Sequence, residues 1–192
     1  DRHFTICEYF GISMLSIPLT NSGPDMEKIE KEVRADQSIK GIWCVPKYSN
    51  PTGHTYSDEV VKRIAALPKI AADDFFVFWD NAYVVHDLQS NEDKLYNFSR
   101  ATENQGTSDS GLVFASTSKI TFAGAGISFL STGDKTLSAF EKLTYKNNSN
   151  DTLNFIWFHL WPNAYKSDSS AMAKQFLRLG STRFLYTKKK CW

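Results

Sequence analysis

Three short apolar runs constrain the fold more than any other feature of the chain. Gly41 to Pro46 and Phe75 to Trp79 are of strand length and show no alternation of polar and apolar residues, and Leu112 to Ala115 is a shorter third run. Successive strand side chains point to opposite faces, so an unbroken apolar run predicts a strand buried on both sides, as in a parallel sheet. Helical patterns separate the runs. Met26, Ile29 and Val33 recur at helical spacing, as do Val60, Val61, Ile64 and Leu67. Strand and helix therefore alternate, which implies α/β layers joined by right-handed crossovers.

Local signals fill in the remaining elements. Phe4 to Phe10 predicts a short helix ended by Gly11, and Ile12 to Leu19 a strand. Pro24 suits the first position of the next helix, with Asp25 and Glu27 at its positive end. Ser57 suits the cap of the Val60 helix, and Pro68 its end. A helix is expected around Asp93 to Arg100, a loop over Thr107 to Gly111, a strand over Ile127 to Leu130 and a helix over Asp134 to Leu143.

Composition fits a single folded core: 192 residues, 42% hydrophobic and 22% charged. The net charge of +1 makes no general case for a nucleic-acid partner. No apolar run approaches the roughly 20 residues that span a bilayer. Cys7, Cys44 and Cys191 lack metal-ligand spacing, so no metal site is expected; so sparse a set predicts reduced thiols and a cytoplasmic protein. Charge shifts along the chain. Residues 1–145 carry 14 basic and 19 acidic residues, a balance of −5, whereas residues 146–192 carry 8 and 2, a balance of +6. That shift divides a first unit, 1–145, from an unassigned basic and aromatic-rich tail, 146–192.

The densest chemistry follows the third run. Ser116-Thr117-Ser118-Lys119 puts hydroxyls and backbone N–H groups beside an amine, and Gly124 and Gly126 then allow close approach. Most lysines are solvated surface charges, but a partly enclosed amine is held toward its neutral, nucleophilic form. Asp80 closes the second run, at the carboxyl end of a strand, where open α/β sheets place ligand contacts. Asn50-Pro51-Thr52-Gly53 is first of all a turn.

Together these stretches resemble the motifs of fold-type-I, pyridoxal-phosphate-dependent aminotransferases. Ser-Thr-Ser-Lys119 resembles the family's lysine motif, Asn50-Pro51-Thr52-Gly53 its Asn-Pro-Thr-Gly turn, and Asp80-Asn81-Ala82-Tyr83 its Asp-x-x-Tyr. All three occur in the family's order. The wording around Trp43 to Asn50 and Ser118 to Gly126 is most similar to the bacterial aspartate-aminotransferase-like or alanine-glyoxylate-aminotransferase-like branch. The resemblance runs from about Asp1 to Leu143.

The resemblance implies the large domain of such a transferase: three layers, with helices on both faces of a mostly parallel, seven-stranded sheet. It implies pyridoxal 5'-phosphate held as a Schiff base on Lys119, with amino-acid and 2-oxo-acid substrates and a homodimer. Asp80 is then the partner of the pyridine nitrogen, Asn50 and Tyr83 hydrogen-bond the phenolic oxygen, and Ser116 and Ser118 bind the phosphate. Lys119, Asp80 and Tyr83 form the catalytic set. His86, three residues past Tyr83, is expected to be structural. β-Elimination or decarboxylation on the same fold stays open, as does a non-catalytic fragment or ligand-sensing module.

The chain departs from the family in several places. Gly126 and Ile127 stand where many relatives have a phosphate-binding arginine. Asp1-Arg2-His3-Phe4 resembles the point just after the family's Pro-Gly-Tyr, and the chain opens on Asp rather than Met, so a preceding segment is expected to be missing. Residues 146–192 do not match the family's long helix and small domain. No motif assigns Arg178 or Arg183 to a substrate carboxylate, and the Lys188 to Trp192 end reads as a solvated tail.

Overall fold

A computed structural model of the chain describes residues 2–83, 85–87, 93–117, 119, 127–147 and 185–188. Ser118, Gly124, Gly126, the aromatic stretch from Leu153 to Trp161, Arg178, Arg183 and residues 189–192 lie outside these.

The first helix, α1 (Arg2–Tyr9), ends as its sequence predicts. Gly11 takes φ +66, so its N–H reaches the Glu8 carbonyl at 3.0 Å and that of Ile12 reaches Cys7 at 2.8 Å. The strand expected over Ile12 to Leu19 is not formed. Only Leu19–Thr20 (β1) pairs, antiparallel, with Gly23–Pro24 (β2). Ile12, Met14 and Leu15 are exposed, and no described strand pairs with them. An apolar run becomes a strand only where a neighbour takes its backbone hydrogen bonds. Pro24 lies in β2 rather than opening the next helix. Asp25 caps α2 (Met26–Ala35) instead, its carboxylate accepting from the Lys28 N–H at 3.1 Å.

The main sheet begins with β3 (Gly41–Cys44). After it come α3 (Asp58–Ala66), capped by Ser57, and β4 (Phe76–Asp80). The helix expected near Asp93 starts later, as α4 (Phe98–Gln105) capped by Asn97, because Leu95 and Tyr96 pack against the core ahead of it. Next are a 3₁₀ turn at Ser108–Ser110, within the expected loop, then β5 (Gly111–Ser116), β6 (Ile127–Ser131), α5 (Asp134–Asn147) and β7 (Leu185–Lys188).

The described residues form a five-stranded sheet in the order β3-β4-β5-β6-β7. β3, β4 and β5 pair in parallel, and both β5/β6 and β6/β7 are antiparallel. Of these strands only β6 is reversed, so the sheet is mostly parallel and the fold is α/β. β3 and β4 approach closely at Gly41, where a Cβ would come within 2.7 Å of the Phe76 carbonyl oxygen.

The two faces of this sheet differ. Cys44, Val77, Trp79 and Val113 join Met26, Ile29 and Val33 of α2, Val60, Val61 and Ile64 of α3, and Phe98 and Ala101 of α4 in one core. Trp79 stacks on Phe98 with ring centroids 4.2 Å apart, and Tyr56 meets it edge-on. On the other face the rings of Trp43, Phe78 and Phe114 lie nearly parallel in one aromatic ladder whose members all neighbour one another, at 5.5 Å, 6.3 Å and, from Trp43 to Phe114, 6.4 Å. Trp43 remains 47% exposed, so β3 is not buried on both sides as its sequence suggests. Its core-facing residues end in Cys44, while Trp43 points the opposite way.

Ile64 is fully buried in this core. Ile64→Ala is expected to cost about 2–5 kcal/mol through lost burial and a residual cavity, and Ser57→Ala, which removes only a cap, about 0.5–2 kcal/mol. Urea unfolding of the two variants checks both the sizes and the order.

Candidate active site

Parallel pairing brings the carboxyl ends of β3, β4 and β5 to one edge of the sheet. Asp80 is the last residue of β4 and lies opposite Phe114 in the register. Phe114 also accepts the Asn81 N–H at 2.8 Å, which fixes where the chain leaves β4. Ser116 ends β5, half-buried, and Thr117 beyond it is buried. Strand alternation puts Asp80, Phe114 and Ser116 on the face of the aromatic ladder.

Two turns extend this edge. After Asp80 the chain turns through Tyr83, closed by the His86 N–H donating to the Tyr83 carbonyl at 3.1 Å. Lys119 sits in a turn just past β5, exposed, with its ammonium nitrogen 3.6 Å from the centre of the Tyr83 ring. That is close enough for the ring to attract the cation. The structure therefore brings together Lys119 and Tyr83, two residues expected to share the site, and places Asp80 and Ser116 on adjacent strand ends beside them. The His86 ring meets Tyr83 edge-on at 5.7 Å. Asn81 Oδ1 and His86 Nδ1 are buried without a hydrogen-bond partner among the described residues.

Asn50 is exposed in the turn that follows β3. The turn is closed by Gly53 N–H to Ser49 O at 2.6 Å and Ser49 N–H to His54 O at 2.9 Å, and the Asn50–Pro51 peptide is cis. Gly53 takes φ +72, the backbone freedom the Asn-Pro-Thr-Gly pattern provides.

A group that the sequence did not single out joins this turn to the Tyr83 turn. Lys47 is only 2% exposed, and its ammonium donates to Asp87 Oδ1 at 2.7 Å. The Tyr48 hydroxyl donates to the same oxygen at 3.1 Å. Tyr48 holds φ +52, uncommon outside glycine. Lys47 keeps the Asp87 carboxyl below its ordinary range, aided by Tyr48 and a backbone N–H at Asp93. Burial first, then the Asp93 and Asp87 carboxylates, push the Tyr48 phenol up to about 12. The available sequence signal was weak: a lysine placed directly after the buried β3 segment, between Pro46 and the Asn-Pro-Thr-Gly turn.

These features define an α/β chain with a lysine held against a tyrosine ring at the carboxyl edge of its sheet. The chain belongs to the aspartate amino-transferase family, whose model matches residues 1–159. It is 52% identical over 130 residues to a putative aminotransferase of Mycolicibacterium smegmatis, covering 68% of this chain and 30% of that protein. It is 47% identical over 132 residues to the aspartate aminotransferase of Corynebacterium glutamicum, covering 69% and 30%. Among solved structures, an aspartate transaminase from Corynebacterium glutamicum matches with a TM-score of 0.72 and 41% identity, over 77% of this chain and 34% of that one. The chain thus spans about 30% of the length of the curated relatives it matches.

The depressed Asp87 carboxyl links the Lys47 cluster to pH. Its contribution is complete above the unfolded-chain value of about 3.9 and is lost as pH falls through the lower folded value. Asp87→Asn is expected to cost about 1.5–3 kcal/mol at pH 7, with the gap to wild type closing toward pH 2. Urea midpoints measured across that range check the sign.

Proposed function

We propose that residues 1–145 of this chain form part of the cofactor-binding domain of a cytoplasmic, homodimeric aminotransferase. The complete enzyme moves an amino group from an amino acid to a 2-oxo acid with pyridoxal 5'-phosphate. The observation that carries this reading is the Lys119 amine held against the Tyr83 ring beside the Asp80 strand end. Membership of the aspartate amino-transferase family supports it. The thiols of Cys7 and Cys44 are free, which suits a reducing compartment.

The residues present fit the cofactor. Asp80 offers a carboxylate to a protonated ring nitrogen, Asn50 and Tyr83 offer donors to a phenolate oxygen, and Ser116 and Ser118 offer hydroxyls to phosphate. Asn81 Oδ1 and His86 Nδ1, without a hydrogen-bond partner among the described residues, add polar capacity around Tyr83. Bound pyridoxal phosphate supplies an electron sink for the pair left when an α-proton departs. Lys119 supplies the amine that anchors the cofactor's aldehyde carbon. With the cofactor bound, Lys119 Nζ would be the group placed to take and return the substrate α-proton, as base and then acid. Asp80 would hold the ring nitrogen in its charged form, which would keep the sink strong. His86 orients Tyr83 by ring contact rather than exchanging protons.

The test is direct. The protein is mixed with pyridoxal phosphate, its visible spectrum is recorded, and the adduct is reduced with borohydride and mapped by mass spectrometry. Label confined to Lys119, and lost in Lys119→Ala, is the expected result. Label scattered over surface lysines, or retained at the same place in Lys119→Ala, defeats the reading. In the complete enzyme, Asp80→Ala is expected to keep the label and slow amino transfer by about 10²–10³-fold.

A further inference from the structure

Resting on the assignment of Asn50, Tyr83 and Lys119 to one site, we infer that Lys47 and Asp87 are positioning residues: their ion pair, buried on the lysine side, with Tyr48 straps the Asn50 turn to the Tyr83 turn and sets the Tyr83 ring under Lys119.

Each turn is closed by its own backbone hydrogen bonds. Ser49, Gly53 and His54 close one, and Tyr83 and His86 the other. Those bonds shape the turns but fix nothing between them. β3 and β4 pair with each other only as far as Cys44 opposite Trp79; β4 goes on along β5 to Asp80 and the Asn81 N–H, so no described strand pairing ties the Asn50 turn to the Tyr83 turn. Beyond that point, among the described residues, the side-chain bonds Lys47 to Asp87 and Tyr48 to Asp87 cross from one turn to the other. Lys47 lies three residues before Asn50, and Asp87 four residues after Tyr83. A shift at either therefore transmits over a short, hydrogen-bonded length of backbone.

The chemistry suits a fixed strap. A lysine that is 2% exposed gives up its hydration, and the Asp87 carboxylate at 2.7 Å replaces it. Such a pair has one favourable geometry, unlike an exposed pair such as Lys40 and Asp74, in which both side chains remain more than half in water. Tyr48 adds a second donor to the same oxygen and holds the backbone at φ +52 at the root of the Asn50 turn. Asp93 also hydrogen-bonds the Tyr48 side chain, so the groups around the strap are Lys47, Tyr48, Asp87 and Asp93. None of these is itself placed against Lys119. Their effect reaches the lysine through the Tyr83 ring, 3.6 Å below the amine.

The first test needs no cofactor. Competitive acetylation of the folded protein at trace reagent, read by mass spectrometry, gives the rate at Lys119 relative to exposed Lys135. Releasing the Tyr83 ring removes the contact that holds the Lys119 amine against it. Lys119 in Lys47→Met and in Asp87→Asn is therefore expected to react about two- to fivefold faster, approaching its rate in Tyr83→Leu. Lys47→Arg, which keeps the buried cation, is expected to stay near the wild-type rate. In the cofactor-loaded complete enzyme, the same two variants are expected to move the midpoint of the visible pH titration by about 0.5–1 unit. An unchanged Lys119 rate in folded Lys47→Met and Asp87→Asn overturns the inference, even where borohydride labelling of wild-type Lys119 has upheld the proposed function. Failure of that labelling, with acetylation still sensitive to the strap, defeats the function and leaves the strap standing. Where the charged variants do not fold, Tyr48→Phe decides: a faster Lys119 supports the strap and an unchanged rate overturns it.

Discussion

Parallel pairing of β3, β4 and β5 is the constraint on which the rest of the structure depends. Parallel strands begin at one edge of a sheet and end at the other, so whatever follows each strand emerges on the same side. Asn50, Asp80 and Lys119 are far apart in the chain, yet each ends or follows one of these strands. The register of Trp43, Phe78 and Leu112 on one line, and of Asp80 against Phe114, sets their relative heights. Core packing on the opposite face holds that register, because a slip of one residue would carry Val77 and Trp79 out of the core.

The legible part of the fold was the part written locally. β3, β4 and β5 could be read because each is a strand-length apolar run, and α2 and α3 because their apolar residues recur at helical spacing. Ser57 was recognisable as a cap because the hydroxyl acts on a backbone N–H three residues away. Errors arose where a distant partner decides. Ile12 to Leu19 has the composition of a strand but no described neighbour. Leu95 and Tyr96 carry a helix-like pattern and spend it on packing in an extended segment. The N-terminus of α5 shows the same limit: Asp109, contributed by the turn before β5, accepts from the Lys135 and Thr136 N–H groups at 3.0 Å and 3.3 Å. No local pattern could have supplied that cap.

The candidate site divides along the same line. Lys119, Asp80, Tyr83 and Asn50 could be read because the family's motifs are short and contiguous. Lys47, Tyr48 and Asp87 could not, because their relation exists only once two turns meet. A lysine and an aspartate 40 positions apart are indistinguishable in sequence from ordinary surface charges. Burial makes the difference, since a charge that has left water must find its counterion in the fold. Ion pairs hidden from water are thus the part of such a site that motif reading passes over.

The unequal faces of the sheet have an optical consequence. Trp79 is sealed in the core and stacked on Phe98, whereas Trp43 belongs to the aromatic ladder and is almost half open. The two indoles sit on adjacent strands, in register one residue apart, and look in opposite directions. A soluble quencher therefore reaches one and not the other. Emission from Trp43 follows whatever comes to lie on the ladder, and emission from Trp79 follows the integrity of the helical side. The sheet carries a separate native fluorophore for each of its faces.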